Sequence, residues 1–346
     1  MAETIARREQ DQRLDRTAIL NLMQAYKNTA LLKTGVELGV FDALAQEASD
    51  ATTIARRTGV AERGARLLLN ALAAIGLLES DGGSYRLTAG AAEHLVRGRP
   101  AYLGDMARVM ASPWEWDALG RLTEAVRRGG TIMHEHAETP EYPYWEDFAA
   151  YAGAVASPTA ERVAGALAPW ASTRDRLDVL DLACGHGLYG FTLAARNPVA
   201  RVWSQDWSNV LPIALQHADR LRVADRVHTI AGDMFEVPLG GPYDVIMITN
   251  VLHHFAEDRG CTLLSRARAV LRPGGKLAVV GITTAEGAPA ADPQPHLFSI
   301  LMLVWTAQGE VHTVAGYRRM MKAAGFGTPV VHDVPGLPFR VMVADG

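Results

Sequence analysis

Between Asp15 and Leu44 the apolar side chains recur at helical intervals, through Ile19, Leu22, Met23, Tyr26, Ala30, Leu31 and Leu38, and predict two or three buried helices. The run that starts at Thr53 reads as a helix, a short turn carrying Gly59, and a longer helix that stops at Gly76. From Leu77 to Thr88 two short strands flank Asp81-Gly82-Gly83, a hairpin signal. A helix–turn–helix followed by a hairpin makes a winged-helix-like unit. Residues 101–170 read as helices carrying many aromatic side chains.

From Leu177 the pattern changes to apolar strands alternating with helices. The strands are expected at Asp178–Ala183, Ala200–Gln205, Val227–Ala231, Asp244–Thr249 and Lys276–Gly281, with two more short ones between Pro329 and Asp345. This βαβ rhythm implies a parallel sheet and an α/β fold class. The expected domains are therefore 1–100, winged-helix-like; 101–170, a helical link that walls a pocket; and 171–346, the α/β domain.

Composition narrows the chemistry. With 346 residues, 49% of them hydrophobic and 21% charged, the chain is long enough for two domains with ordinary cores. A winged helix raises the prospect of DNA binding, but residues 1–100 hold 13 basic against 12 acidic side chains. That balance of +1, and −4 for the whole chain, offers no field for nucleic acid or an anionic membrane. Met1 to Arg16 lacks the apolar core of a secretory signal, and no apolar run reaches membrane-spanning length. Cys184 and Cys261 stand far apart and make neither a disulfide framework nor a metal cluster, so a cytoplasmic protein without a metal is expected.

The ligand signal follows the first strand of the α/β half. Asp181-Leu-Ala-Cys-Gly185-His-Gly187-Leu-Tyr-Gly190 opens a helix that runs to Asn197-Pro198, and its glycines let backbone approach a ligand. Asp206, followed by Trp207, ends the second strand 21 residues after Gly185, the usual spacing to a carboxylate that accepts from ribose hydroxyls. Alone, this glycine spacing fits NAD as well as S-adenosylmethionine. Asp181, the turn Gly232-Asp233-Met234-Phe235 after strand three, and Leu271-Arg-Pro-Gly-Gly-Lys before strand five decide for the latter, because together they resemble class I methyltransferases. A cationic sulfonium gains from a nearby carboxylate, which Asp181 is placed to supply, and Asp233 suits an adenine amino group unless it only caps its turn.

Three further stretches extend the likeness: Gly232–Phe235, Leu252-His253-His254-Phe255, and Thr313 to Phe326 with the preceding Gly309. They resemble the homodimeric small-molecule O-methyltransferases of plants and bacteria, whose N-terminal region is also winged-helix-like. The resemblance implies a doubly wound, Rossmann-like sheet ending in an antiparallel hairpin, an N-terminal domain that dimerises, S-adenosyl-L-methionine as cofactor, and His253 as catalytic base. It is imperfect. The family's Leu-His-Asp-Trp reads Leu252-His253-His254-Phe255 here, and its two glutamates beside the histidine correspond to Val311 and Gly281, with Glu310 as a nearby substitute.

Methyl transfer is an in-line displacement at an activated carbon, so alignment supplies much of the rate. A base matters for weakly acidic nucleophiles. Full prior proton transfer from a phenol to an imidazole would cost about 4.8 kcal/mol at ~1.36 per pK unit, a state that coupled transfer avoids. The leading expectation is O-methylation of an aromatic or polyketide-like hydroxyl, with His253, at the carboxyl edge of strand four, as base. The alternatives are C- or N-methylation by alignment alone, or the fold without methyl transfer. The expected acceptor slot is lined by Met110, Trp114, Met133, Tyr144, Trp145, Phe148, Phe298, Met302 and Trp305, although any of these can be plain core.

Overall fold

A computed structural model describes residues 15–284 and 288–346, so most of the Met1–Arg16 stretch lies outside the described residues. The chain forms two compact units, residues 1–111 and 112–346.

In the first unit the strand β1 (Ser49–Asp50) leads into the helix Ala51–Thr58, whose first turn is capped by Asp50 Oδ1 accepting from Thr53 N at 2.7 Å. The helix Glu62–Ala74 follows, then β2 (Leu78–Asp81) and β3 (Ser84–Leu87). Gly82 and Gly83 both have positive φ, as a two-residue turn matched to strand twist requires. The strands form an antiparallel sheet in the order β1-β3-β2. Phe41, Ile54, Leu69, Leu72 and Tyr85 fill the core beneath it.

One expectation fails here. The helix Arg16–Gln24 buries none of its residues, and Leu22, Met23 and Tyr26 are 67%, 68% and 62% exposed. The apolar stripe is present at helical spacing, but nothing among the described residues covers it.

The second unit carries a seven-stranded sheet. Its strands are β4 (Leu177–Leu182), β5 (Ala200–Asp206), β6 (Val227–Ala231), β7 (Tyr243–Thr249), β8 (Leu271–Ile282), β9 (Val330–Asp333) and β10 (Phe339–Asp345), in the order β6-β5-β4-β7-β8-β10-β9. The first five are parallel, and β10 runs antiparallel to both β8 and β9. Every residue of β4 and β7 is buried, which explains their largely apolar composition, interrupted by the carboxylates Asp178, Asp181 and Asp244. The helices Gly153–Ala171 and Leu188–Arg196 cover one face, and Glu257–Ala269 and Val314–Ala323 the other. β8 begins five residues earlier than the pattern predicts. Tyr243 pairs with Leu271 and Val245 with Lys276, so Arg272–Gly275 loop out as an irregularity within the strand. Arg272 sits in that bend between Asp178, at 2.9 Å, and Asp244.

The chain order reverses at β4, whose neighbours β5 and β7 are reached by crossovers in opposite directions. Ligands of open α/β sheets bind at the carboxyl ends of the strands at such a switch point. Among the described residues, no helix is long and apolar enough to cross a membrane.

Candidate active site

The bend after β4 is built for close approach. Gly187 has φ +71° and caps the helix Leu188–Arg196, and a Cβ there would meet the Phe191 ring at 2.1 Å. A Cβ on Gly190 would lie 2.8 Å from Val202, so this glycine lets the helix lie against β5. At Gly185 the nearest atoms to an added Cβ belong to Phe148, 3.9 Å away.

Two buried carboxyl groups hold this bend. Asp181 Oδ2 accepts from Gly190 N at 3.1 Å, whereas Oδ1 is buried with no hydrogen-bond partner among the described residues. Burial pushes the Asp181 pKa up to about 8, with the Gly190 bond opposing and Asp206 adding to the rise. Asp206 accepts from Gly185 N and from Trp207 N, each at 2.7 Å, and burial raises its pKa to about 6. A carboxylate has about four lone-pair positions, so Asp206 keeps acceptor capacity for hydroxyl donors.

Gln205, which the sequence patterns did not single out, joins from β5 the loops that follow β4 and β6. Its Oε1 accepts from Ala183 N at 3.2 Å and its Nε2 donates to Gly232 O at 2.6 Å. Gly232 N in turn donates to Asp206 O at 3.0 Å. Asp233 Oδ1 accepts from Phe235 N at 2.8 Å, so the turn-capping role is realised while its other oxygen is not engaged in that bond. Met234 is half-buried against the core, and the Phe235 ring lies 4.2 Å from the Arg259 guanidinium. An adenosyl group carrying a sulfonium fits this set of donors and acceptors: an unpartnered buried carboxyl oxygen, a ribose-type acceptor and a glycine bend without side chains.

Beyond β7, Asn250 adopts φ +56° and the chain enters a 3-10 turn, Leu252–His254. His253 is 3% exposed, with Nδ1 buried and unpartnered among the described residues. Its ring meets Phe298 edge-on at 5.0 Å and His254 at 4.8 Å. Burial, then the fields of His254 and His312, hold its pKa well below the usual imidazole value. Burial alone lowers His254 to about 4. Glu310 is exposed and makes no hydrogen bond or ion pair among the described residues, while the buried Val311 donates its N–H to Ser299 Oγ at 3.2 Å. At Gly281 a Cβ would come within 2.2 Å of the Tyr317 hydroxyl.

An aromatic wall connects the histidine turn to the glycine bend. Trp145 lies 5.4 Å from His254, 6.2 Å from Trp305 and 5.7 Å from Phe148, and Phe148 stacks on His186 at 6.1 Å. Tyr144 packs on Trp305 at 4.3 Å and, through Tyr142, reaches Trp114. Met302 is fully buried and Met133 half-buried. Met110 belongs to the first unit, where it is 62% exposed. Among these rings stands Glu115, a second unforeseen residue. It is buried, its Oε1 is 3.5 Å from the Tyr144 hydroxyl, and burial raises its pKa to about 7. Its only sequence signal is a carboxylate between Trp114 and Trp116.

Known proteins share this architecture. The family models for the O-methyltransferase dimerisation domain and the O-methyltransferase domain match residues 20–97 and 172–327. A tetracenomycin polyketide synthesis 8-O-methyl transferase of Streptomyces glaucescens is 31% identical over 316 residues, covering 89% of this chain and 90% of its own. A 3-hydroxy-5-methyl-1-naphthoate 3-O-methyltransferase of Streptomyces sahachiroi is 29% identical over 320 residues, 89% of each chain. Among solved structures, a candidate O-methyltransferase of Nostoc punctiforme superposes with a TM-score of 0.89 at 33% identity, covering 96% of this chain and 99% of its own. With a glycine bend held by two carboxyl groups at the switch point, a histidine turn beside it and these relatives along nearly its whole length, the chain belongs to the O-methyltransferase family and is an S-adenosylmethionine-dependent enzyme.

Proposed function

We propose that this enzyme methylates a hydroxyl of a flat aromatic or polyketide-like molecule, with His253 as the general base. The single observation that carries the reading is the continuous run of rings from the glycine bend through Phe148 and Trp145 to His254 and His253. Such a wall suits a planar acceptor, and it ends on the imidazole of His253, a group able to take a proton. The naphthoate and polyketide acceptors named for the relatives above belong to the same chemical class.

Asp181, Gly185, Gly187 and Asp206 hold the cofactor in this reading, with Trp207, Asp233, Met234 and Phe235 around its adenosyl part. When bound, S-adenosylmethionine supplies a methyl group on a cationic sulfur. The protein's own residues orient the acceptor hydroxyl and keep water out, and neutral His253 receives the proton as the hydroxyl oxygen becomes a nucleophile. Residues 20–97 mediate a homodimer, and the enzyme works in the cytoplasm.

Radiolabelled cofactor with a panel of phenols and naphthols tests the proposal. His253→Ala is expected to slow product formation by about 10²–10⁴-fold at unchanged cofactor affinity. Wild-type turnover in that variant defeats the base assignment. It would favour the second reading, methylation of carbon or nitrogen by alignment alone, which the unpartnered Nδ1 of His253 supports.

A further inference from the structure

His312 lies outside both loops that carry the cofactor residues, yet it grips the turn that bears His253. Its Nε2 is 3.0 Å from Phe255 O and 3.3 Å from Leu252 O. Both partners are carbonyl oxygens and can only accept, so Nε2 carries the proton and donates to both. The two carbonyls bracket His253 and His254, and a single buried donor therefore closes the turn on which the base stands.

The donor is itself fixed. His312 is 4% exposed, and the next residue, Thr313, caps the helix Val314–Ala323 by accepting from Gly316 N at 3.0 Å. Thr313 also forms a parallel bridge with Thr284 beyond β8. The His312 ring stands edge-on to Tyr317, 5.7 Å away, and Tyr317 fills the space beside Gly281 where a family glutamate would project. Gly309 supports the turn from the same segment. A Cβ there would lie 2.6 Å from His253 O and 2.8 Å from the carbonyl carbon of His254, so the backbone of 309 lies directly against the histidine pair.

We infer that His312 is a positioning residue for the methyl-transfer step, holding His253 in line through its two backbone hydrogen bonds where the side-chain carboxylates of related enzymes are missing. The inference rests on the reading of His253 as base. His253 Nδ1 has no partner among the described residues to fix its ring, so its orientation depends on the backbone beneath it and on the Phe298 and His254 rings.

Two variants and one wild-type measurement test this. His312→Met keeps the length of the side chain without a donor, and His312→Gln retains a donor. Methionine is expected to lower kcat by about 10²-fold, the effect of misplacing a reacting group by an ångström, while the cofactor Kd stays at the wild-type value. Glutamine should restore most of kcat. A role in fold stability alone would move the Kd and kcat together and would not distinguish glutamine from methionine. Wild-type kcat in folded His312→Met overturns the inference, as does a folded His312→Gln that loses as much as methionine. If the methionine variant does not fold, nitrogen-15 NMR of the wild-type imidazoles still decides. The inference requires a His312 Nε2–H tautomer with a slowly exchanging proton, and an Nδ1–H tautomer overturns it. His253→Ala separates the two readings, because wild-type turnover there removes the base assignment while the His312 tautomer still reports on the clamp.

Discussion

The backbone N–H of Gly185 donates to Asp206 Oδ2 at 2.7 Å, so the last residue of β5 pins the bend that follows β4. The other carboxylate oxygen takes Trp207 N at the same distance. Asp206 thus shapes the loop as well as accepting from a ligand. Asp206→Ala is expected to remove two charge-assisted bonds of about 1.5–3 kcal/mol each and to leave two N–H groups unpaired. Even partial relaxation would weaken S-adenosylmethionine binding by about 10²-fold, given ~1.4 kcal/mol per tenfold. Asp206→Asn should fall nearly as far, since an amide cannot accept at both ends. Isothermal titration of each variant measures this, and an Asn variant binding like wild type would remove Asp206 from the loop's support.

Cofactor binding should be linked to protons. Burial raises Asp181 from 3.8 to about 8 and Asp206 from 3.8 to about 6 in the free chain. For carboxyls whose folded pKa is raised, the stability of the free fold is fullest below about pH 4 and declines as pH rises through 6 and then 8. A cationic sulfonium and hydroxyl donors favour the ionised forms, so binding should release protons between pH 6 and 8. Affinity therefore rises with pH across that window, and the cofactor raises the melting temperature more at pH 8.5 than at pH 5.5. Calorimetry in buffers of different ionisation enthalpy tests the sign. Proton uptake on binding would contradict it.

Much of this was legible in the chain because β4, β7 and the glycine bend are specified locally. Strands buried on both faces read as near-continuous apolar runs, so that β4 and β7 stand out despite Asp178, Asp181 and Asp244, and Gly187 admits no side chain beside Phe191. The residues that escaped act across long separations. Gln205 reaches Gly232 and Ala183, Glu115 meets Tyr144, and His312 meets carbonyls 57 and 60 residues away. No periodicity or short motif records such pairs. The early start of β8 was missed for a related reason, since only its pairing with β7 shows that Arg272–Gly275 are an irregularity inside a strand.

The pair Gly281 and Tyr317 makes an asymmetric prediction. The Tyr317 hydroxyl is sealed in the core with no hydrogen-bond partner among the described residues, and burial pushes its pKa well above the usual phenol value. Removing an unsatisfied buried hydroxyl relieves a desolvation penalty of about 1–3 kcal/mol. Tyr317→Phe should therefore raise the melting temperature or leave it unchanged. Gly281→Glu, which returns the family's carboxylate, should lower it, because overpacking against the Tyr317 ring costs about 1–3 kcal/mol and an unpaired buried charge adds to that. Differential scanning calorimetry of both variants decides. A stable, more active Gly281→Glu enzyme would show that the space beside β8 is open.

The last prediction concerns the first unit. The helix Arg16–Gln24 shows an apolar stripe to solvent, including Leu22 at 67% and Met23 at 68% exposure, with Tyr26 at 62% just beyond it. Stripes of this kind on a single chain mark interaction surfaces, and this one overlaps the segment matched by the dimerisation-domain family. Burying a leucine and a methionine contributes about 1.5–3 kcal/mol each, so both together can shift a dimer constant by roughly 10²–10⁴-fold. The double substitution Leu22→Lys and Met23→Lys places two charges in that contact while removing nothing from the core of the unit, since neither residue is buried within it. Multi-angle light scattering should find the wild type as a dimer at micromolar concentration and the variant as a folded monomer with an unchanged circular dichroism spectrum. A variant that stays dimeric would move the interface off this helix, and an unfolded one would mean the stripe packs within its own chain, contrary to its exposure.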